Sequence, residues 1–159
     1  MNDKVDKPVF LTRQGLEKLE KELYYLETEK RPQVAARIHS AKEEGDISEN
    51  AEYDDAKHEQ GFVEGRIMTL HAMIGSAVVI EDNGPSDEVR LGSRVAVLED
   101  GVGAPDVYNI VGSAEADPLN GRISNESPMG RALMGQRAGA VVSYYAPDGE
   151  IRLTILSIE

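Results

Sequence analysis

A leucine seam restricts this chain more than any other feature. Leu16, Leu19, Leu23 and Leu26 step by three, four and three, the heptad spacing that lays one apolar stripe along a helix. After a break at Gly45 the pattern returns in Ala56, Gln60, Phe62 or Val63, Ile67, Leu70, Ile74 and Ala77. Each stretch has one narrow stripe and little else to bury, so the two helices must bury their stripes on each other. Helices joined by a short turn pack antiparallel. At ~1.5 Å per residue, arms of about 33 residues reach ~50 Å, more than the width of a small domain. Toward the turn the stripe thins to Ala35, Ala36, Ile38, Ala41 and Ala51, which predicts a slender end. Pro32 withdraws a backbone donor and predicts a local bend in the first helix.

Past Ile80 the pattern changes. Glu81 to Glu88 is a turn-rich linker, and short β-branched runs then alternate with Gly, Pro and Asp. Strands are predicted at Ser93–Leu98, Val107–Val111, Arg122–Asn125, Ala140–Tyr145 and Glu150–Ser157, with Pro147-Asp148-Gly149 as a hairpin turn and a short helix over Met129–Met134. The expected fold is α+β: an antiparallel helical hairpin over 1–80, then a mostly antiparallel sheet curled around one helix over 81–159.

Charge and composition exclude several roles. Seventeen basic against 29 acidic residues give −12 and a pI near 4.7, so the whole molecule is repelled by free nucleic acid and by anionic membranes. Any nucleic-acid role is local or borrowed from a partner. The absence of cysteine removes disulfides, thiolate zinc sites and cysteine nucleophiles. With no tryptophan and three histidines, aromatic pockets and histidine metal cages are poorly supplied. No apolar run is long enough to cross a bilayer and the N-terminus has no signal-peptide core, so a cytoplasmic location is expected.

The break between the helices carries the chemistry. Glu43, Glu44, Asp46, Glu49, Glu52, Asp54 and Asp55 lie within thirteen residues that contain no cation. An ordinary explanation exists: Gly45 ends a helix, Asp46 with Glu49 forms a capping box, and acids complement the next helix dipole. That accounts for one or two acids, while mutual repulsion among seven opposes folding. The surplus predicts a cationic partner. Mg²⁺ takes one or two carboxylates, keeps several waters and completes its shell with phosphate oxygens, so this turn is half a site, to be finished by another molecule. His39 and His58 lie near it but offer too few ligands for a metal of their own.

The same residues carry a resemblance. Lys42-Glu43-Glu44-Gly45-Asp46-Ile47-Ser48-Glu49-Asn50-Ala51-Glu52-Tyr53, followed by Asp55-Ala56-Lys57 and Glu59-Gln60-Gly61-Phe62, resembles the tip signature of the GreA/GreB family of bacterial transcript cleavage factors. Leu11-Thr12-Gly15-Leu16, Lys30-Arg31-Pro32 and Ser127-Pro128-Met129-Gly130-Arg131-Ala132-Leu133-Met134-Gly135 extend it over the whole chain. The resemblance implies an FKBP-like C-terminal domain docked on the rim of the secondary channel of bacterial RNA polymerase, with the coiled coil running down that channel. Asp46 and Glu49 then help hold an Mg²⁺ shared with the polymerase, which cleaves its own backtracked transcript. The isolated protein is expected to be a monomer, no enzyme and without bound metal.

Asn50 and Tyr53 are supporting tip residues in that scheme, with a first-turn polar group and a seam filler as their plain alternatives. Lys42 and Lys57, on opposite helices, face the nascent RNA 3′ end, or else pair with the surrounding acids. Lys30, Arg31 and Arg37 extend a possible basic face. Ser127 and Pro128 belong to the polymerase-docking turn, and also read as a serine cap with proline at the first helical position. Glu115-Ala116-Asp117 receives no role. The main competing function is a secondary-channel inhibitor without cleavage activity, disfavoured by the intact Gly45-Asp46-Ile47-Ser48-Glu49-Asn50. A prolyl isomerase lacks aromatic lining, and a self-associating coiled-coil adaptor would use the heptad stripe as a dimer seam.

Overall fold

The structure, a computed structural model, describes residues 7–45, 50–81 and 84–159. It divides into two compact units, Leu16–Ser76 and Met1–Gly15 with Ala77–Glu159.

The helical unit continues α1 (Arg13–Tyr25), passes through a π-helical turn (Leu26–Lys30) into α2 (Arg31–Glu43), and returns in α3 (Ala51–Gly75). The irregularity expected at Pro32 falls one turn earlier. Proline has no N–H to return to the preceding turn, and there the backbone is wound wider, with the Arg31 N–H bonded to the Leu26 carbonyl. Val34, Ile38, Ala56, Val63 and Ile67 form the buried seam, with Leu23, Leu26 and Tyr53 packed against it. Of the two candidates at one seam position, Val63 is buried and Phe62 is 79% exposed. Among the described residues, the buried part of the stripe is thus paired within one chain.

Ion pairs flank the seam: Arg37 with Glu52 and Glu59, Lys30 with Glu59, Arg31 with Glu64, Glu22 with Arg66, and His71 with Glu27. The early part of the first arm meets the late part of α3, as in Glu22 with Arg66, and its end meets the start of α3, as in Arg37 with Glu52, the signature of an antiparallel pair. Lys30, Arg31 and Arg37 thus do not form the open basic face that the sequence suggests; each is tied to a carboxylate of α3. Those partners hold the Glu64 carboxyl below its ordinary range through Arg31, Glu59 through Lys30, and Glu22 through Arg66.

In the other unit β1 (Val9–Leu11) and β2 (Ala77–Val79) pair in parallel, Val9 opposite Ala77 and Leu11 opposite Val79. A division at residue 80 separates neither strand from the hairpin; the structure groups both with the sheet. Three-residue strands are too short to show alternation, which is why the sequence hides them. A five-stranded sheet follows: β3 (Arg94–Glu99), β4 (Asp106–Val111), β5 (Arg122–Ser124), β6 (Val141–Ala146) and β7 (Gly149–Ile158), in the order β5-β4-β3-β7-β6. The strands fall within two residues of their predicted limits. The sheet is mostly antiparallel, as expected, with one exception: β4 and β5 pair in parallel. Two 3₁₀ turns, Ser113–Glu115 and Pro118–Asn120, carry the chain back so that β5 runs alongside β4 in the same direction.

The core under this sheet is Val89, Val95, Val97, Ile110, Ile123, Leu133, Val142, Leu153 and Ile155. Leu133 comes from α4 (Pro128–Leu133), which lies so close to β5 that a Cβ at Gly130 would stand 1.9 Å from the Ser124 carbonyl oxygen. Tyr108 and Tyr144 pack against the core, and burial pushes both hydroxyls above their usual range. No helix among the described residues is long and apolar enough to cross a membrane.

Candidate functional site

The turn between α2 and α3 is closed by one amide. Asn50 precedes α3 in an extended conformation and its Oδ1 accepts the Tyr53 N–H at 3.1 Å. Its Nδ2 donates to the Ala41 carbonyl at 2.7 Å. Ala41 is buried in the last turn of α2, so a single side chain satisfies an orphan carbonyl at the end of one helix and an orphan N–H at the start of the next. Asn50 is thus the cap of α3. Asp46 and Glu49, and with them the capping box expected there, lie outside the described residues. Gly45, at φ +142°, takes a backbone conformation that side-chain-bearing residues avoid.

The acids around the turn divide into two sets. Glu52 enters the Arg37 fork at 2.8 Å, and Glu43 meets His39 at 3.1 Å. Glu44, Asp54 and Asp55 are exposed and none of them has an ion pair among the described residues. Tyr53 is half-buried against the Val34 and Ile38 seam, in keeping with a packing role. Lys42 and Lys57 behave differently from the other arm cations. Lys42 has no ion pair among the described residues, and Lys57 donates to Gln60 at 2.9 Å, so neither is neutralised by its acidic neighbours there. No group of three or more His, Asp or Glu that could hold a metal occurs among the described residues.

Ser127 and Pro128 stand at the other candidate position. Ser127 Oγ accepts the Gly130 N–H at 3.0 Å and donates to the Ser124 carbonyl at 2.7 Å, and the exposed Pro128 opens α4. The cap reading of this pair is realised. Ser124 Oγ meets Ser113 Oγ at 2.9 Å, and Ser113 donates to Glu126 at 2.6 Å. Lys7 pairs with the same carboxylate.

Two family descriptions match nearly the whole chain: transcription elongation factor, N-terminal, over residues 9–79, and transcription elongation factor, GreA/GreB, C-term, over 83–159. The chain belongs to the GreA/GreB family of transcription elongation factors. Curated relatives carrying the name transcription elongation factor GreA include one from Thermoanaerobacter pseudethanolicus, 53% identical over 97% of this chain and 99% of its own length. Another, from Bacillus subtilis, is 49% identical over 93% and 94%. Among solved structures, GreA factor homolog 1 of Thermus thermophilus is 30% identical, covers 96% of this chain and 99% of its own, and aligns with a TM-score of 0.46.

In this GreA/GreB-family chain the structure gives Glu115, to which the sequence assigns no role, a definite place. Thr12 caps α1, its Oγ1 accepting the Gly15 N–H at 3.0 Å. In a capping box the third helical residue would return a carboxylate to the cap, but that residue is Gly15. Glu115, 103 positions away, supplies the carboxylate: Oε2 accepts the Thr12 N–H at 2.7 Å and Oε1 the Thr12 hydroxyl at 2.6 Å. A Cβ on Gly15 would lie 2.2 Å from Oε1. The detectable signal was Thr12 three residues before a glycine, a cap with half its box missing.

Proposed function

We propose that this transcription elongation factor binds bacterial RNA polymerase as an accessory factor, enters the secondary channel with its hairpin turn, and stimulates the polymerase to cleave backtracked nascent RNA. It acts as a monomer in the cytoplasm and supplies no active site of its own. The observation that carries this reading is the Asn50 clamp. An amide caps α3 and ties it to Ala41, so the capping bond is made without a carboxylate. The two acids of the Gly45-Asp46-Ile47-Ser48-Glu49-Asn50 motif are then best explained by a ligand.

The donor set fits Mg²⁺ in kind, since the motif offers two hard carboxylate groups. Asp46 and Glu49 would hold the ion, with the remaining ligands coming from the polymerase and the RNA phosphates. When bound there, Mg²⁺ lowers the pKa of a coordinated water and offsets charge at the phosphate. Asn50 holds the turn closed at its base, and Tyr53 seats the first turn of α3 on the seam. Lys42 and Lys57 offer positive charge to phosphate without preference among bases. Ser127 and Pro128 present a rigid capped turn to the polymerase.

The test is transcript cleavage in backtracked complexes with Asp46→Asn or Glu49→Gln. Each should lower stimulated cleavage on the order of a hundredfold while affinity for polymerase persists. Undiminished cleavage would remove the metal role. A wild-type chain that binds and only blocks the polymerase would make it an inhibitor. RNA hydrolysis by the isolated chain in Mg²⁺ would refute the accessory reading.

A further inference from the structure

The distant capping box at the start of α1 holds more than a helix end. Glu115 closes the 3₁₀ turn Ser113–Glu115, and Ser113 opens it with bonds to Ser124 and to Glu126. Ser124 in turn accepts the Ser127 hydroxyl through its carbonyl. Hydrogen bonds at both ends of the short Ser113–Glu115 turn therefore join the Ser127–Pro128 turn to Thr12 through that turn's backbone. The fit around it leaves no slack: a Cβ at Gly112 would stand 1.9 Å from the Phe10 carbonyl oxygen, and one at Gly15 would strike the Glu115 carboxylate. The α1 helix begins here, at Arg13, and the hairpin continues from it.

We propose that Glu115 is a positioning residue for stimulated cleavage: by capping Thr12 from the turn that also bonds to the Ser124–Ser127 segment, it fixes the start of α1 relative to the polymerase-docking turn. It touches neither RNA nor metal. The inference rests on the cleavage reading above, and its consequence is separable from docking and from stability. A factor that docks normally but whose α1 starts from a loosened turn is bound as tightly and works less often. Mere loss of folded protein has the opposite signature, because it raises the concentration needed for half-maximal effect and leaves the maximal rate intact.

The experiment measures maximal stimulated cleavage rate and half-saturating factor concentration in backtracked polymerase complexes, with amide exchange of residues 12–16 in the free full-length chain. Glu115→Gln, which cannot accept both Thr12 protons, should lower the maximal rate several-fold, leave half-saturation unchanged and speed exchange at Thr12 about tenfold. Thr12→Val should match it, whereas Thr12→Ser, which keeps the hydroxyl, should behave as wild type. Gly15→Ala should reproduce the defect by pushing the carboxylate off its cap, and adding it to Glu115→Ala should cause no further loss. An unchanged maximal rate with Glu115→Gln in an assay where wild type is active would overturn the proposal alone. Equal and additive losses from Gly15→Ala and Glu115→Ala would overturn it too. A wild-type factor that binds without stimulating cleavage would overturn the cleavage reading and the proposal with it.

Discussion

The hairpin and the sheet unit are held together by different means. The sheet unit buries nine aliphatic side chains in one cluster. The hairpin buries five in its seam cluster, one of them an alanine, and surrounds them with ion pairs between helices. Apolar burial scales with area, and a two-helix seam has little area to offer, so the hairpin relies on a charged shell that exposed geometry makes weak and salt-sensitive. A slender two-helix element can enter a narrow space, and the cost is reduced stability in the part that carries the tip.

The sharpest test of this contrast is in the cores. Leu133→Ala, at a position with no exposed surface, should destabilise the sheet unit by ~3–5 kcal/mol, whereas Ile67→Ala in the seam should cost ~2 kcal/mol because neighbouring helices can close partly on the gap. Denaturant titrations followed separately by helix and sheet signals would show it, and equal costs would break the comparison.

At the tip, Asn50→Ala removes both bonds of the clamp. A loss of ~1–2 kcal/mol is expected, seen as faster amide exchange at Tyr53 and Asp54. Asn50→Asp should keep the bond from Tyr53 and lose the one to Ala41, giving an intermediate effect.

Alkali should act on the sheet unit, and acid most widely on the hairpin, although Asp117 and Glu126 of the sheet unit are also held low, by Asn120 and by Lys7. Glu22, Glu59 and Glu64 are held below their ordinary range by cations across the seam, so their contribution is complete above about pH 4.3 and is lost as pH falls through the lowered folded values. Far-UV circular dichroism should therefore show the hairpin loosening in acid before the sheet core does. The sheet unit is vulnerable at the other extreme. Tyr108 and Tyr144 are raised by burial, so their neutral forms support the fold fully below about pH 10, and that support is lost as pH rises through the raised folded values.

The smallest effect should come from salt. Raising ionic strength to ~1 M shortens the screening length to about 3 Å, which should lower the hairpin transition by a few degrees and leave the sheet transition nearly unmoved.

Much of this was legible in the residues. The seam was readable because a 3.5-residue repeat of leucine has one physical meaning, and the five sheet strands because β-branched runs ended at Gly, Pro and Asp. The turn was legible as a concentration of charge that capping cannot use up. Other features required contacts between distant positions. The choice of Val63 over Phe62 depends on which way the paired helix lies. The neutralisation of Lys30, Arg31 and Arg37 depends on helix register, since a cation on one helix does not reveal the acids opposite it. The parallel course of β5 depends on how two short turns steer the chain, and β1 with β2 are too brief to announce themselves.

The local order of residues determined the helices, the strands and the acidic turn, since periodicity and turn chemistry act over a few positions. Only the tertiary structure decided that Asn50 rather than an acid caps α3, and that Glu115 completes a cap begun at Thr12. Hydrogen bonds depend on distance in space, and neither bond across a hundred residues nor an amide bridging two helix ends has a spacing from which it can be read.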